Sequence, residues 1–165
     1  MNKAVFLDRD GVINFEPGHY TCSAEDFIIN DGLGESVKLL KESGFLVIII
    51  SNQGGIAKSL YSHDDVLELH IKLCEYLADY QAKVDDFYYC PHHPDFTKCL
   101  CRKPGTLMFE KALAVYNIDP AQSFMIGDGD RDIEAAEKCG IKGVKVAANT
   151  NIIGVCQQIS GGTNG

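Results

Sequence analysis

The sequence predicts a Rossmann-like α/β fold, a three-layer sandwich with a mainly parallel sheet between helices. Two observations predict it. Short apolar runs alternate with segments of helical periodicity, and polar or acidic side chains follow directly after four of those runs. Strands that alternate with helices form right-handed crossovers, which cover both faces of the sheet. Because such folds place their sites beyond the carboxyl ends of the strands, we expect one site where the polar segments meet.

Local signals place the individual elements. The predicted strands are short apolar runs bounded by turn residues, at 3–7, 45–50, 87–89, 123–126 and 144–147. The helices carry apolar residues three and four positions apart, and they are predicted at about 31–43, 62–80, 106–116 and 133–139. Gly44 and Gly140 occupy the position just beyond a helix end, where glycine is favoured. Residues 160–165 are expected to form a loose tail.

Composition limits the classes of protein to which the chain can belong. Its 165 residues suit a single domain, 1–165, which is long enough to bury a core without disulfides. The longest apolar run, 45–50, is far too short to cross a membrane, and the first ten residues do not resemble a signal peptide. A formal charge of −8 and scattered basic residues argue against a nucleic-acid partner. We therefore expect a cytoplasmic monomer that acts on a small molecule and binds neither membrane nor nucleic acid.

An acidic pair follows the first predicted strand. Asp8 and Asp10 are two residues apart, so both carboxylates can face the same side of an extended segment, and Gly11 permits a tight turn. Such a pair can divide the work of nucleophile and proton donor, because neighbouring charges separate their pKa values. Taken alone, the same pattern is also typical of a solvated acidic loop.

Three further segments place polar groups at later strand ends. Asp128 follows the fourth predicted strand and, with Asp8 and water, would form an oxygen-rich magnesium site. Ser51 and Asn52 follow the second strand, and Lys103 follows the third, so a hydroxyl, an amide and a cation are available to hold phosphoryl oxygens. Each feature also has an ordinary explanation, since acidic residues are favoured at a helix N-terminus and Ser-Asn is common in turns.

In this order the motifs resemble the haloacid-dehalogenase-like (HAD) superfamily: Asp8-x-Asp10-Gly11, then Ser51, then Lys103, and last Gly127-Asp128-x-x-x-Asp132. The resemblance spans residues 3 to about 147. It implies that Asp8 is a nucleophile, that Asp10 acts first as an acid and then as a base, and that Ser51 and Lys103 hold the phosphate. It also implies a magnesium ion bound by Asp8, Asp128 and the backbone carbonyl of Asp10. The implied reaction is hydrolysis of a phosphate monoester through an aspartyl-phosphate.

A second metal site is predicted in the loop 90–101. Cys90-Pro-His92 and Cys99-Leu-Cys101 together offer three thiolates and one imidazole. Four such ligands suit closed, tetrahedral zinc, and His93 is the alternative imidazole. A zinc ion here would fix the loop just before Lys103, so its expected role is structural.

The cysteine-rich loop narrows the resemblance to a branch that lacks a large cap domain and contains heptose-bisphosphate 7-phosphatases and histidinol-phosphate phosphatases. Segments 8–14, 51–57 and 90–94 are closer to the heptose enzymes, which favours a heptose 1,7-bisphosphate substrate, with histidinol phosphate as the alternative. The resemblance implies substrate contacts by Glu16, Gly18, His19, Tyr20, Asn52, Gln53, Gly54 and Arg102. Two features depart from the heptose pattern: the short spacing between His92 and Cys99, and Gly129 in place of a frequent lysine.

Two other classes of protein share part of this pattern. A receiver-like phosphoacceptor domain also combines an α/β sheet with an aspartate, magnesium and a lysine, but it places its acceptor aspartate on a later strand. A nucleic-acid-end phosphatase would need a basic or stacking surface, which the sequence does not show. The roles of Asp130 and Asp132, and the effect of Gly129 on substrate choice, stay open.

Overall fold

A computed structural model of the chain, which describes residues 1–161, contains a five-stranded sheet in which every neighbouring pair of strands is parallel. The strands are β1 (Lys3–Leu7), β2 (Phe45–Asn52), β3 (Asp86–Cys90), β4 (Phe124–Gly127) and β5 (Lys142–Lys145). Their order across the sheet is β3-β2-β1-β4-β5. The chain thus adds strands first to one side of β1 and then to the other. The gap beyond β1 and β4 is the topological switch point at which such sheets bind ligands.

Five helices cover the two faces of the sheet: α1 (Leu33–Glu42), α2 (His63–Asp79), α3 (Leu107–Val115), α4 (Asp130–Lys138) and α5 (Ile153–Gly161). Successive residues of a strand point to opposite faces, and β1 divides its side chains accordingly. Val5 and Leu7 belong to the core formed with α1, α2 and α5. Ala4 and Phe6 belong to the core formed with α3 and α4. The three layers confirm the fold that the sequence predicts.

The helix α2 begins at the predicted N-terminal cap. The Ser62 hydroxyl accepts a hydrogen bond from the Asp65 amide at 3.2 Å, and the Asp65 carboxylate accepts one from the Ser62 amide at 2.7 Å. This reciprocal pair satisfies two amides that have no partner inside the helix. It fixes the residue at which the polar loop after β2 ends and α2 begins.

Several boundaries differ from the sequence prediction. The helix α4 begins at Asp130 and not at residue 133, because Asp130 and Asp132 form its first turn. The strand β5 covers 142–145 and not 144–147. No helix is predicted after residue 147, yet α5 forms there. Its two glycines lower helix propensity, and its buried Cys156 and Ile159 stabilise it by packing.

The expected tail falls partly inside this last helix. Residues 160 and 161 belong to α5, and residues 162–165 lie outside the described residues. Within residues 1–161, the segment between β1 and α1 contains only isolated bridges, and no cap domain is inserted there or between β2 and α2. None of the helices in this described part has the length and apolarity that a membrane crossing requires.

The two-faced core can be tested in α3. Phe109 is fully buried, and its ring packs edge-on against Phe6 with 5.2 Å between the ring centroids. We expect Phe109→Ala to lower the free energy of unfolding by about 3–5 kcal/mol, because it removes buried apolar surface and leaves a cavity. Val115→Ala, at a position 67% exposed at the end of the same helix, should change it by less than about 0.5 kcal/mol. Urea denaturation measures both, and equal losses would contradict this core.

Candidate active site

The polar segments that follow the strands meet at one edge of the sheet. Asp8 comes directly after β1, Ser51 lies near the end of β2, and Asp128 comes directly after β4. Lys103 arrives from the loop after β3, and its ammonium contacts Asp8 Oδ1 at 2.8 Å. Parallel strands that end at the same edge of the sheet therefore bring together Asp8 and Asp128, which are 120 positions apart in the chain.

The Lys103 ammonium is buried and lies against three oxygens. Its nitrogen lies 2.8 Å from Asp8 Oδ1, 2.7 Å from Asp132 Oδ1 and 2.7 Å from the carbonyl oxygen of Ile50. Lys103 is 2% exposed, and Asp8 and Asp132 are 4% and 0% exposed. The ammonium donates hydrogen bonds to Asp8 and to the Ile50 carbonyl, and its contact with Asp132 is an ion pair. The charge is compensated in place by two carboxylates.

Burial and charge act in opposite directions on this cluster. Burial disfavours the charged form of Lys103, but the carboxylates of Asp8 and Asp132 outweigh that effect and raise the pKa of its ammonium. Burial raises the pKa of Asp8, and the Lys103 ammonium only partly offsets the rise. Burial and the Asp132 carboxylate also raise the pKa of Asp128. The cluster therefore has more negative charge than Lys103 alone neutralises.

Asn52 fixes the backbone of Lys103. Its amide nitrogen donates to the Lys103 carbonyl at 3.1 Å, and its amide oxygen accepts from the Lys103 N–H at 2.9 Å. The side chain thus pairs with the backbone as a neighbouring strand would. Asn52 is predicted from the sequence to contact substrate, and the structure adds these two contacts with Lys103.

Three carboxylates form a cluster with the geometry of a cation site. One oxygen from each of Asp8, Asp128 and Asp132 lies within 4.8 Å of the other two. Asp132 already engages Lys103 through Oδ1 and the Gly129 amide through Oδ2, at 3.0 Å. Asp8 and Asp128 are therefore the carboxylates left to bind a cation. Oxygen donors with raised pKa values fit magnesium, which compensates their charge.

Two glycines allow the carboxylates to come this close. A Cβ on Gly11, which has a φ of +90°, would lie 2.4 Å from Asp128 Oδ2. A Cβ on Gly127 would lie 2.4 Å from the Cβ of Asp132. Contacts that short do not occur between real side chains, so only glycine fits at either position.

Asp10 stands beside this cluster in a network of its own. Its Oδ1 accepts from Arg9 Nε at 3.2 Å, from an Arg9 terminal nitrogen at 2.9 Å and from Asn14 Nδ2 at 3.0 Å. Its Oδ2 accepts from Gln53 Nε2 at 3.0 Å. Arg9 is 1% exposed and also donates to the Thr21 carbonyl at 2.9 Å. Nothing in the sequence marks Arg9 as a site residue, because a buried arginine and a surface arginine have the same local pattern.

A cavity of about 440 Å³ opens in front of Asp8 and Asp10. All eight residues that the resemblance implies as substrate contacts line it. Three lining residues were not predicted from the sequence, namely Arg9, Thr21 and Arg131. Three arginines, Arg9, Arg102 and Arg131, therefore line a cavity that Asp8 and Asp10 also line. This distribution suits a substrate with more than one anionic group.

The loop that carries Glu16 is fixed from the other end of the chain. Asn149 Oδ1 accepts from the Glu16 amide at 2.6 Å, and Asn149 Nδ2 donates to the Glu16 carbonyl at 3.0 Å. The Asn149 amide in turn donates to the carbonyl of Gly11 at 2.8 Å. Asn149 thereby ties the substrate loop to the turn after Asp10. No motif in the sequence points to this contact across 133 positions.

The predicted zinc ligands come together in the loop after β3. Cys90 Sγ lies 3.7 Å from Cys99 Sγ and 3.1 Å from Cys101 Sγ, and His92 Nδ1 lies 3.5 Å from Cys90 Sγ and 3.2 Å from Cys101 Sγ. His93 Nδ1 instead accepts from the Asp95 amide at 3.2 Å, which leaves His92 as the imidazole of the set. Three sulfurs and one nitrogen at these separations fit a single tetrahedral zinc ion.

The remaining acidic residues of the last motif have different surroundings. Asp130 is exposed and pairs with Lys145 at 2.6 Å, so it belongs to the ordinary first turn of α4. Asp132 is buried and contacts both Lys103 and the Gly129 amide. The motif contains Asp132 but leaves the roles of both residues open, and burial separates them. Asp132 is a member of the site, and Asp130 is not.

Comparisons with known proteins agree with this geometry. A family model described as HAD-hydrolase-like matches residues 100–152. The chain is 42% identical over 154 residues to a D-glycero-β-D-manno-heptose-1,7-bisphosphate 7-phosphatase of Haemophilus ducreyi, covering 90% of this chain and 84% of the relative. It is 36% identical over 167 residues to a D-glycero-D-manno-heptose-1,7-bisphosphate 7-phosphatase of Chlorobaculum tepidum, covering 94% and 84%. The crystal structure of a B. bronchiseptica D,D-heptose 1,7-bisphosphate phosphatase, complexed with magnesium and phosphate, superposes with a TM-score of 0.85 at 30% identity, covering 94% and 86%.

Removal of the buried ammonium should destabilise the protein in a pH-dependent way. With metal chelated, we expect Lys103→Met to lower the free energy of unfolding at pH 7 by about 3–5 kcal/mol, because it leaves buried carboxylates without a cation. The pKa of Asp8 is raised above its unfolded value, and without Lys103 it rises further. The folded variant therefore binds protons more readily than the unfolded chain does. Its loss of unfolding free energy relative to the unsubstituted protein should shrink as the pH falls towards 5. Lys98→Met, at an exposed position in the same loop, is the control. A loss for Lys103→Met that does not vary with pH would contradict this assignment.

Proposed function

Because the chain belongs to the family of HAD-like hydrolases, we propose that it is a magnesium-dependent phosphatase that forms an aspartyl-phosphate on Asp8. The observation that carries the proposal is the buried contact between Asp8 and Lys103 beside Asp128, at the switch point of the sheet. Phosphoryl transfer requires a nucleophilic carboxylate, a positively charged side chain in a fixed position and a site for a metal ion, all beside one cavity.

The roles of the residues follow from their contacts. Asp8 Oδ1 accepts from the Arg9 amide and from Lys103, both at 2.8 Å, so we assign Oδ2 to the attack on phosphorus. Asp10 protonates the oxygen of the departing alcohol and afterwards takes a proton from the water that hydrolyses the phosphoenzyme. Ser51 and Lys103 hold the other phosphoryl oxygens.

Asp8, Asp128 and the backbone carbonyl of Asp10 are the groups we propose to hold magnesium. Bound there, the ion would offset the repulsion between the Asp8 carboxylate and the phosphate dianion. Two observations support this choice, namely the excess negative charge of the cluster and the magnesium named for the B. bronchiseptica relative.

We propose that the substrate is D-glycero-D-manno-heptose 1,7-bisphosphate and that its 7-phosphate is removed. The names of the Haemophilus ducreyi and Chlorobaculum tepidum relatives support this choice. The cavity supports it as well. One phosphate would face Asp8, and Arg102 and Arg131 would meet the second anionic group of a bisphosphate. Arg131 would supply positive charge beside Gly129, where heptose enzymes often carry a lysine.

Phosphate release from defined substrates tests this function. With magnesium, we expect sustained release from heptose 1,7-bisphosphate over many turnovers, slower release from histidinol phosphate, and none from a 3′-phosphorylated oligonucleotide. EDTA should stop the reaction. Asp8→Asn should lower the rate by about 10³-fold or more, since the amide cannot form the phosphoenzyme.

The matched control is Asp79→Asn at the exposed end of α2, which should leave the rate unchanged. A single phosphorylation without turnover would instead favour the receiver-like class. Faster release from histidinol phosphate would transfer the chain to the alternative branch. Near-normal activity of Asp8→Asn would overturn the assignment of the nucleophile.

We also propose that Cys90, His92, Cys99 and Cys101 hold one structural zinc ion. The Arg102 amide contacts Cys99 Sγ at 3.4 Å, so the cluster fixes the backbone directly before Lys103. We expect metal analysis to find about one zinc per chain, and Cys101→Ser to lose it together with activity. Cys74→Ser, at an exposed and isolated cysteine, should keep both. A fully active protein without zinc would contradict the proposal.

We propose, finally, that the chain acts as a single-domain monomer in the cytoplasm. None of the seven cysteines forms a disulfide, which suits a reducing compartment. The net charge of −8 suits an enzyme without a nucleic-acid partner.

A further inference from the structure

Behind the active site lies a buried tyrosine that the proposed reaction does not use. The Tyr61 hydroxyl donates to Gln53 Oε1 at 2.6 Å, and the two residues are 9% and 1% exposed. Burial raises the pKa of Tyr61 to about 12, although the Arg9 guanidinium opposes the rise. The hydroxyl therefore keeps its proton and acts as a donor to the amide oxygen.

The amide of Gln53 connects two groups of the active site. Gln53 Nε2 lies 3.0 Å from Asp10 Oδ2 and 2.6 Å from Ser51 Oγ. A primary amide has two protons, so both are used by these acceptors. If the amide turned over, its oxygen would face the Asp10 carboxylate, which is also an acceptor. The hydrogen bond from Tyr61 holds the orientation in which the nitrogen faces the site.

This orientation determines which oxygen of Asp10 the Gln53 amide contacts. Three donors, two from Arg9 and one from Asn14, occupy Oδ1, whereas Gln53 alone contacts Oδ2. Oδ2 is therefore the Asp10 oxygen whose position and direction the Gln53 amide sets. The same amide makes Ser51 Oγ an acceptor, so the Ser51 hydroxyl proton points away from Gln53 and is available to a phosphoryl oxygen.

We propose that Tyr61 is a positioning residue that, through Gln53, aims Oδ2 of Asp10 at the leaving group. The proposal rests on the proposed function, because it assigns Tyr61 to the same reaction. Gln53 then orients Asp10, in addition to the substrate contact that the resemblance implies for it.

The surrounding residues fit this role. A Cβ on Gly55 would lie 2.1 Å from Tyr61 Cε1, so the glycine makes room for the tyrosine ring. Tyr20, from the substrate loop, packs edge-on against Tyr61 with 5.9 Å between the ring centroids. The ring is therefore held from both sides, and its hydroxyl has a fixed direction.

The chemistry supplies a selective test. As the bond from Asp8 to phosphorus forms, the bond from phosphorus to the leaving oxygen breaks, and that oxygen keeps the electron pair. A sugar alkoxide must then take the proton from Asp10 Oδ2, whereas p-nitrophenolate is stable without one. Misalignment of Asp10 should therefore slow esters of alcohols and spare p-nitrophenyl phosphate.

The experiment compares kcat/KM for these two kinds of ester, because this parameter reports the steps up to phosphoenzyme formation. We expect Tyr61→Phe to lower kcat/KM for heptose 1,7-bisphosphate by about 10–100-fold and for p-nitrophenyl phosphate by less than about 3-fold. Gln53→Met, which keeps the length of the side chain but removes the amide, should show the same selectivity. Tyr116→Phe is the matched control. It removes a hydroxyl that donates to Asp86 Oδ2 at 3.0 Å, at the opposite end of β3, and it should change neither value.

Selective loss on the alcohol ester in Tyr61→Phe, matched by the same selectivity in Gln53→Met, supports the proposal. Equal losses on both esters would show general damage to the site and overturn it, and unchanged values for Tyr61→Phe would overturn it as well. A wild-type protein that releases phosphate from neither ester would disprove the proposed function itself, which is a separate result.

Discussion

The site depends on one buried ammonium. Lys103 is the partner that allows carboxylates from the end of β1 and from the first turn of α4 to lie together out of contact with water. An isolated charge in that position would cost several kcal/mol, and two like charges would cost more. The contact also includes the Ile50 carbonyl in β2, so three elements of the fold meet at one nitrogen. The contacts of the Lys103 ammonium therefore both fix the catalytic geometry and stabilise this edge of the sheet.

Around that centre, each active group has a partner that orients it. Asn52 holds the backbone of Lys103, Arg9 and Asn14 hold Asp10, and Asn149 holds the loop of Glu16. These partners lie mainly in loops, where a side chain has no neighbouring strand to fix it. Hydrogen bonds that are complete before substrate arrives reduce the reorganisation that the reaction requires.

The fold was largely predictable because a sheet covered on both faces needs apolar runs at short intervals, and the polar residues after β1, β2 and β4 stand out against them. The helix α5 was not predictable in this way, since packing on α1 and not propensity stabilises it. In the site, motif spacing points to Asp8 and Lys103. It does not predict that Asp132 is buried against Lys103, a contact that the exposed Asp130 lacks. It also misses Asn149, because that contact depends on where distant loops meet.

The hydrogen bonds around the loop after β3 bear on how the family diverges. The loop is anchored twice, by the sulfur and imidazole cluster and by the pairing of Asn52 with Lys103. Residues 94–98, which lie between His92 and Cys99, are exposed, so neither core packing nor the reacting groups constrain them. Insertions and deletions within residues 94–98 should therefore leave Lys103 in place. The length of this exposed segment can therefore change during evolution without any change in the chemistry of the site.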